Sequence, residues 1–171
     1  LAQDGSAVWS DARHDGDIEL RRSGRDDWEA IARTNRYESQ PEFSADGKHI
    51  ALVSNRDGSE SIVVYNMENG TVLPLALEPR FRWVRPTWSA RDQSLILTAY
   101  EDVETRLYRY RLDRGVLETV PNVEPGAFHG VELADRLLFL SGHRTRQSAL
   151  MQLRPGNAQA EQLPCGIVQA Y

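Results

Sequence analysis

Three observations predict an all-β fold. The segment Pro41-Glu42-Phe43-Ser44-Ala45-Asp46-Gly47 returns as Pro86-Thr87-Trp88-Ser89-Ala90-Arg91-Asp92, and the register holds as far as Gly70 and Gly115, so both intervals are 45 residues. Apolar residues come in short runs, such as Ile50-Ala51-Leu52-Val53 and Leu95-Ile96-Leu97, bounded by Gly, Asn, Asp and Ser. No long stretch carries the 3.6-residue apolar period of an amphipathic helix. Internal similarity at this spacing, with about four strands per period, is the signature of radially repeated sheets. The expected fold is a β-propeller of about four four-stranded antiparallel blades, or a segment of a larger propeller. It is expected as one domain over residues 1–171, with repeats at about 1–35, 36–80, 81–124 and 125–171.

The second repeat shows the pattern best. Asp46-Gly47 turns Glu42-Phe43-Ser44 into Ile50-Ala51-Leu52-Val53-Ser54, because glycine accepts positive φ and aspartate hydrogen-bonds its own following backbone. A turn at Asn55-Arg56-Asp57-Gly58 leads into Ser61-Ile62-Val63-Val64-Tyr65-Asn66, and Glu68-Asn69-Gly70 turns the chain into Thr71-Val72-Leu73-Pro74-Leu75. The middle strands are apolar at successive positions, as expected when both faces of a small sheet are covered. The third repeat follows through Ser94–Thr98, Arg106–Leu112 and, after Gly115, Val116–Val120. Alternation of Leu107, Arg109 and Arg111 against Tyr108, Tyr110 and Leu112 predicts that one side of that strand reaches solvent or a loop.

A weaker fourth copy runs from Phe128-His129 through Arg136–Ser141 and Ser148–Leu153, with Pro155-Gly156 where Gly70 and Gly115 stood. The first copy has counterparts of the later strands in Ser6–Ser10 and Ile18–Leu20 but no innermost strand. Arg25–Arg33 resembles two helical turns, yet it fills the outer-strand slot, so it is predicted as strand.

Composition bounds the function. At 171 residues, with 40% hydrophobic and 26% charged residues, the chain can bury a core without disulfide or metal, and no apolar run approaches the roughly 20 residues that span a bilayer. A net charge of -5 disfavours nucleic-acid binding, which draws on clustered Lys and Arg. Cys165 stands alone, leaves the redox compartment open and reads as a small apolar residue.

The run Pro41 to Gly58 resembles the TolB-type propeller repeat, P-x-[FW]-S-x-D-G-x-x-I-A-[FL]-x-S-x-R-x-G. The resemblance is specific over residues 41–75, fair to 120 and weak elsewhere: the third repeat has Asp92-Gln93 in place of Asp46-Gly47 and Tyr100-Glu101-Asp102-Val103 in place of Asn55-Arg56-Asp57-Gly58. Such repeats occur in periplasmic TolB, in propellers that gate prolyl-oligopeptidase-type peptidases, in sensor regions of CadC-like winged-helix regulators, and in some lyases. The resemblance implies a scaffold, and a scaffold does not specify chemistry.

No nucleophile elbow, dinucleotide-binding fingerprint or phosphate-binding loop is present, so no catalytic residue and no cofactor is assigned. The aspartates Asp11, Asp15, Asp17, Asp26, Asp27, Asp46, Asp57 and Asp92 mostly stand where turn chemistry explains them, and no metal site is expected. His14, His49, His129 and His143 are dispersed. His129 is singled out because, beside Phe128, it opens an innermost strand, close to the central channel of a propeller.

The stretches before the inner strands supply the candidate partner-binding rim: Arg36 and Tyr37 before Pro41, and Arg80, Phe81, Arg82 and Trp83 before Pro86. Arg, Tyr and Trp join large contact area to directional donors. The competing reading packs Phe81 and Trp83 between blades and leaves the arginines to solvate the rim. Phe43 and Trp88 are expected to be buried between blades.

The resulting expectation is a non-catalytic binding or sensor module with a protein or peptide partner, periplasmic, with no membrane span of its own. It would be the extracytoplasmic propeller of a bacterial transcriptional regulator or envelope complex. The rival is an accessory propeller of a prolyl-oligopeptidase-type peptidase. For closure, Ile167–Tyr171 is expected to supply the first repeat's missing strand beside Ser6–Ser10. The competing arrangements are an open arc and a homodimer joined edge to edge.

Overall fold

The computed structural model describes residues 2, 4–11, 17–32, 36–142 and 148–164. Among these residues fifteen strands follow one another: β1 (Ala7–Asp11), β2 (Asp17–Arg21), β3 (Glu29–Ala32), β4 (Glu38–Phe43), β5 (His49–Ser54), β6 (Ser61–Asn66), β7 (Val72–Pro74), β8 (Arg82–Trp88), β9 (Ser94–Glu101), β10 (Glu104–Arg111), β11 (Val116–Thr119), β12 (Ala127–Glu132), β13 (Leu137–Ser141), β14 (Ala149–Leu153) and β15 (Glu161–Gln162). They form four antiparallel meanders in chain order, β1-β2-β3, β4-β5-β6-β7, β8-β9-β10-β11 and β12-β13-β14-β15. The described residues contain no helix, and none long and apolar enough to cross a membrane. Among the described residues the first sheet has three strands. Of the stretch Arg25–Arg33, Glu29–Ala32 is strand. Ile167–Tyr171 and the closure expected of them lie outside the described residues, as do Cys165, His14, Asp15 and His143.

The glycines that marked the period do what glycine is needed for. Gly70 and Gly115 sit at φ of 71° and 63°, in the left-handed region that costs a Cβ-bearing residue energy. Asp46 accepts from Ser44 Oγ at 2.6 Å and from the Lys48 N–H at 3.1 Å, and Asp4 accepts from the Ser6 N–H at 2.8 Å, so the same aspartate turn opens the hairpins of the first two repeats.

The inner strands begin earlier than the prolines suggest. Proline cannot donate to a strand ladder, so Pro41 and Pro86 read as strand starts. In β4 the register with β5 slips between Ser39 and Glu42, leaving Gln40 and Pro41 in a bulge where no ladder bond is needed. β12 slips likewise between Phe128 and Val131. The residue that enters each of these two bulges is left-handed, Gln40 at φ 55° and His129 at 53°, and so is Arg85 at 52°, the residue before Pro86 in β8. Arg82–Arg85 is therefore strand rather than loop.

The chain divides into two compact units, Leu1–Trp88 and Ser89–Tyr171. In the first, Ile18 and Leu20 pack with Phe43, Ile50, Leu52 and Val63, supported by Val8, Ile31, Tyr65 and Met67. The other face of the second sheet, with Ala51, Val53, Ile62 and Val64, is equally buried, and β8 packs on β5 and β6. The unbroken apolar runs thus reflect burial on both faces. Phe43 is buried as expected, whereas Trp88 is only half-buried, its Nε1 donating to the Glu42 carbonyl at 2.9 Å.

In the second unit, Ile96, Leu107, Val120, Ala127, Leu137 and Phe139 form the core, with Met151 and Leu153 against it. Gly130 stands where the other two inner strands carry proline. A Cβ there would come within 2.8 Å of Ile96 Cγ2 and 2.9 Å of Leu107 Cδ1. Gly130→Ala is therefore expected to overpack this core and destabilise by about 1–3 kcal/mol. Urea unfolding that leaves stability unchanged would contradict the close approach.

Candidate functional site

The candidate rim splits into two classes. Arg36 and Tyr37 are exposed before β4, where Asn55 Oδ1 accepts the Tyr37 N–H at 2.8 Å and the Asn55 N–H returns to the Tyr37 carbonyl at 3.1 Å. Arg80 and Arg82 are also exposed. Arg80 pairs with Glu78 at 2.8 Å with its guanidinium carbon 4.5 Å from the Phe81 ring centre, and Arg82 pairs with Glu60.

Phe81 and Trp83 correct the expectation of an exposed aromatic rim. They are 5% and 1% exposed, edge to face at 5.5 Å, and Trp83 Nε1 donates to the Glu78 carbonyl at 2.9 Å. Strand alternation turns Arg82 and Trp83 to opposite sides, and only the arginine meets solvent.

Sequence reading missed the inner-strand bulge. In the first unit the N–H of the left-handed Arg85 donates to Gln40 Oε1 at 2.6 Å, so the bulge residue of one inner strand holds its counterpart in the next. The Arg85 side chain is exposed. In the second unit the His129 N–H does the same with Thr98 Oγ1 at 3.0 Å, and the His129 ring meets Phe128 at 4.9 Å. His129 is half-buried. Left-handed non-glycine residues cost about 1–3 kcal/mol and gather where a side chain must be aimed. The signal was present: Gln40 and Arg85 are 45 residues apart, each just before its proline.

Two buried ionic clusters were also missed. Glu38, fully buried on β4, accepts from Arg56 at 2.6 Å and from Ser54 Oγ at 3.2 Å, while its Oε2 is buried without a hydrogen-bond partner. One repeat later the three positions hold Trp83, Glu101 and Ala99, so the aromatic replaces the ion pair as a set. In the second unit Glu132 occupies the slot of Phe43 and Trp88. Its carboxylate accepts from Arg109 and from Ser89 Oγ, each at 2.5 Å. Arg109 reaches inward to this carboxylate from the slot of Val64.

Burial opposes the charge on Glu132, but the bonds from Arg109 and Ser89 and the charges of Arg109 and Arg91 outweigh it and hold the carboxyl below its usual range. Asp92 is lowered in the same way, with burial outweighed by Ser94, Arg109 and Arg111.

Several solved structures share this architecture. A protein assigned as TolB in Agrobacterium tumefaciens superposes with a TM-score of 0.80 at 16% identity, over 95% of this chain and 62% of that one. TolB from Acinetobacter baumannii gives 0.76 at 14% identity, over 94% and 41%. The fold is that of a TolB-like propeller. A puromycin-hydrolyzing peptidase of Mycobacterium tuberculosis matches at 0.68 and 11% identity, over 92% of this chain and 26% of that one. This propeller chain thus spans less than two thirds of each of these proteins. No family model and no curated protein matches the sequence.

The Glu132 cluster makes stability depend on pH with a definite sign. A carboxyl whose folded pKa lies below its unfolded value of 4.5 contributes stability that is present above that value and lost as pH falls through the folded pKa. Glu132→Gln is expected to lower stability at pH 7 by about 1–3 kcal/mol and to lose less than wild type on acidification below pH 4.5. Urea unfolding at both pH values checks this, and equal losses would contradict it.

Proposed function

We propose that this chain is a non-catalytic binding module that takes a protein or peptide partner, the extracytoplasmic, periplasmic propeller of a bacterial transcriptional regulator or envelope complex. The observation that carries this reading is the linked pair of left-handed residues in the first unit, Gln40 and Arg85. Gln40 satisfies the Arg85 main chain and leaves the Arg85 guanidinium exposed, a fixed backbone presenting an adaptable cation. Arg36, Tyr37, Arg80 and Arg82, also exposed on this unit, are the remaining partner-binding candidates. Phe81 and Trp83 are buried and pack edge to face on one another. His129 is the corresponding candidate of the second unit. The TolB-like fold supports a binding role, and none of these groups forms a nucleophile and base pair.

The likeness to peptidase propellers supports a second reading, an accessory propeller of a prolyl-oligopeptidase-type peptidase. The two separate on the full-length gene: a winged helix and one membrane segment before these residues supports the first, and a Gly-x-Ser-x-Gly elbow after them the second.

Panning a random peptide library displayed on phage against the chain tests the binding reading. Enriched peptides are expected to bind at least tenfold more weakly to Arg85→Ala, as for loss of an interface anchor of about 2 kcal/mol. No enrichment, or binding that Arg85→Ala leaves intact, would overturn it.

A further inference from the structure

Within the second unit, the turn opening β9, the middle of β10, the loop after β11 and the turn after β14 converge on a cavity of about 140 Å³. Its polar walls are Arg91, Arg109, Asn122, Glu132, Arg154 and Asn157. Three guanidiniums line it against one carboxylate, in a chain whose net charge is -5.

The charges there are unevenly matched. Arg109 is committed on both sides, with Nη2 on Glu132 at 2.5 Å and Nη1 on Ser94 Oγ at 2.7 Å and 3.6 Å from Asp92. Arg91 is held more loosely, with Nε on the Leu133 carbonyl at 3.2 Å and Nη1 3.4 Å from Glu132. Arg154 stands in the exposed turn after β14. Asn122 Nδ2 donates to the Asn157 carbonyl at 3.1 Å, and the Asn157 N–H to the Arg154 carbonyl at 3.1 Å, which ties the loop after β11 to that turn. Glu132 and Asp92 are both held ionised against burial, in keeping with a positive local potential.

The volume suits one small molecule. It has room for several waters, and so for a phosphate or a short carboxylic acid. The planar guanidinium fork can donate to two oxygens of a carboxylate or a phosphate at once. We propose that this cavity is a binding site for a small oxyanion, a phosphate or carboxylate group, gripped by Arg91 and Arg154 over the Arg109–Glu132 floor. The site involves only residues of the second unit and does not depend on the partner-binding reading.

The test is calorimetric titration of the full chain with sodium phosphate and, separately, sodium succinate, in a zwitterionic buffer with ionic strength balanced by chloride. Expected is saturable one-site binding of at least one of them, weakened about tenfold or more in Arg154→Gln, the loss of one charge-assisted contact. Arg114→Gln, an exposed arginine of the same unit, should bind as wild type. Phosphate alone binding assigns the site to phosphate groups, and succinate alone to carboxylates. No saturable heat with either anion, or Arg154→Gln indistinguishable from wild type with its thermal unfolding unchanged, overturns the proposal. An Arg114→Gln chain weakened as much as Arg154→Gln would show a diffuse charge effect and overturns it too.

Discussion

A small sheet that is apolar on both faces cannot stand alone, and the rest of this structure follows from that constraint. Ile50 to Ser54 on β5 and Ile62 to Val64 on β6 are buried without a break, so both sides of their sheet must be covered. Full burial of each aliphatic side chain is worth about 1.5–3 kcal/mol, and none of that is available to an isolated meander. In the first unit the cover comes from Ile18 and Leu20 on one face and from β8 on the other. Repetition of one four-stranded unit is the cheapest sequence solution, because each sheet then covers the next.

Stacking sheets this closely places demands on the inner strand. A bulge there takes two residues out of the ladder, admits Pro41 without a lost hydrogen bond and turns Gln40 left-handed. The freed N–H must then find an acceptor, and it does so on a neighbouring strand: Gln40 for Arg85, Thr98 for His129. The same device that relieves the packing also aims three different side chains, which is why the functional reading rests on it. Fold and presentation are here one piece of backbone geometry.

The repeat made the strands, their order and their turn residues legible, because period, apolar runs and Gly or Asp-Gly turns all point the same way. The inner-strand starts were not, since proline looks like a boundary unless the bulge is known. Trp83 looked like a binding residue because its neighbours Arg80 and Arg82 are polar, while strand alternation decides its direction. The ionic clusters were hidden for a different reason. Glu38 with Arg56, and Glu132 with Arg109, are each far apart in sequence, and each becomes visible only when repeats are aligned and two positions are seen to change together.

Native-state hydrogen exchange tests the two-faced burial most directly. The amides of Leu52, Val53, Val63 and Ile96, in the doubly covered strands β5, β6 and β9, are expected to exchange last, only through the largest openings, while those of β7, β11 and β15 exchange early. Exchange in β5 as fast as in β7 would contradict the view that mutual coverage of sheets holds this chain together.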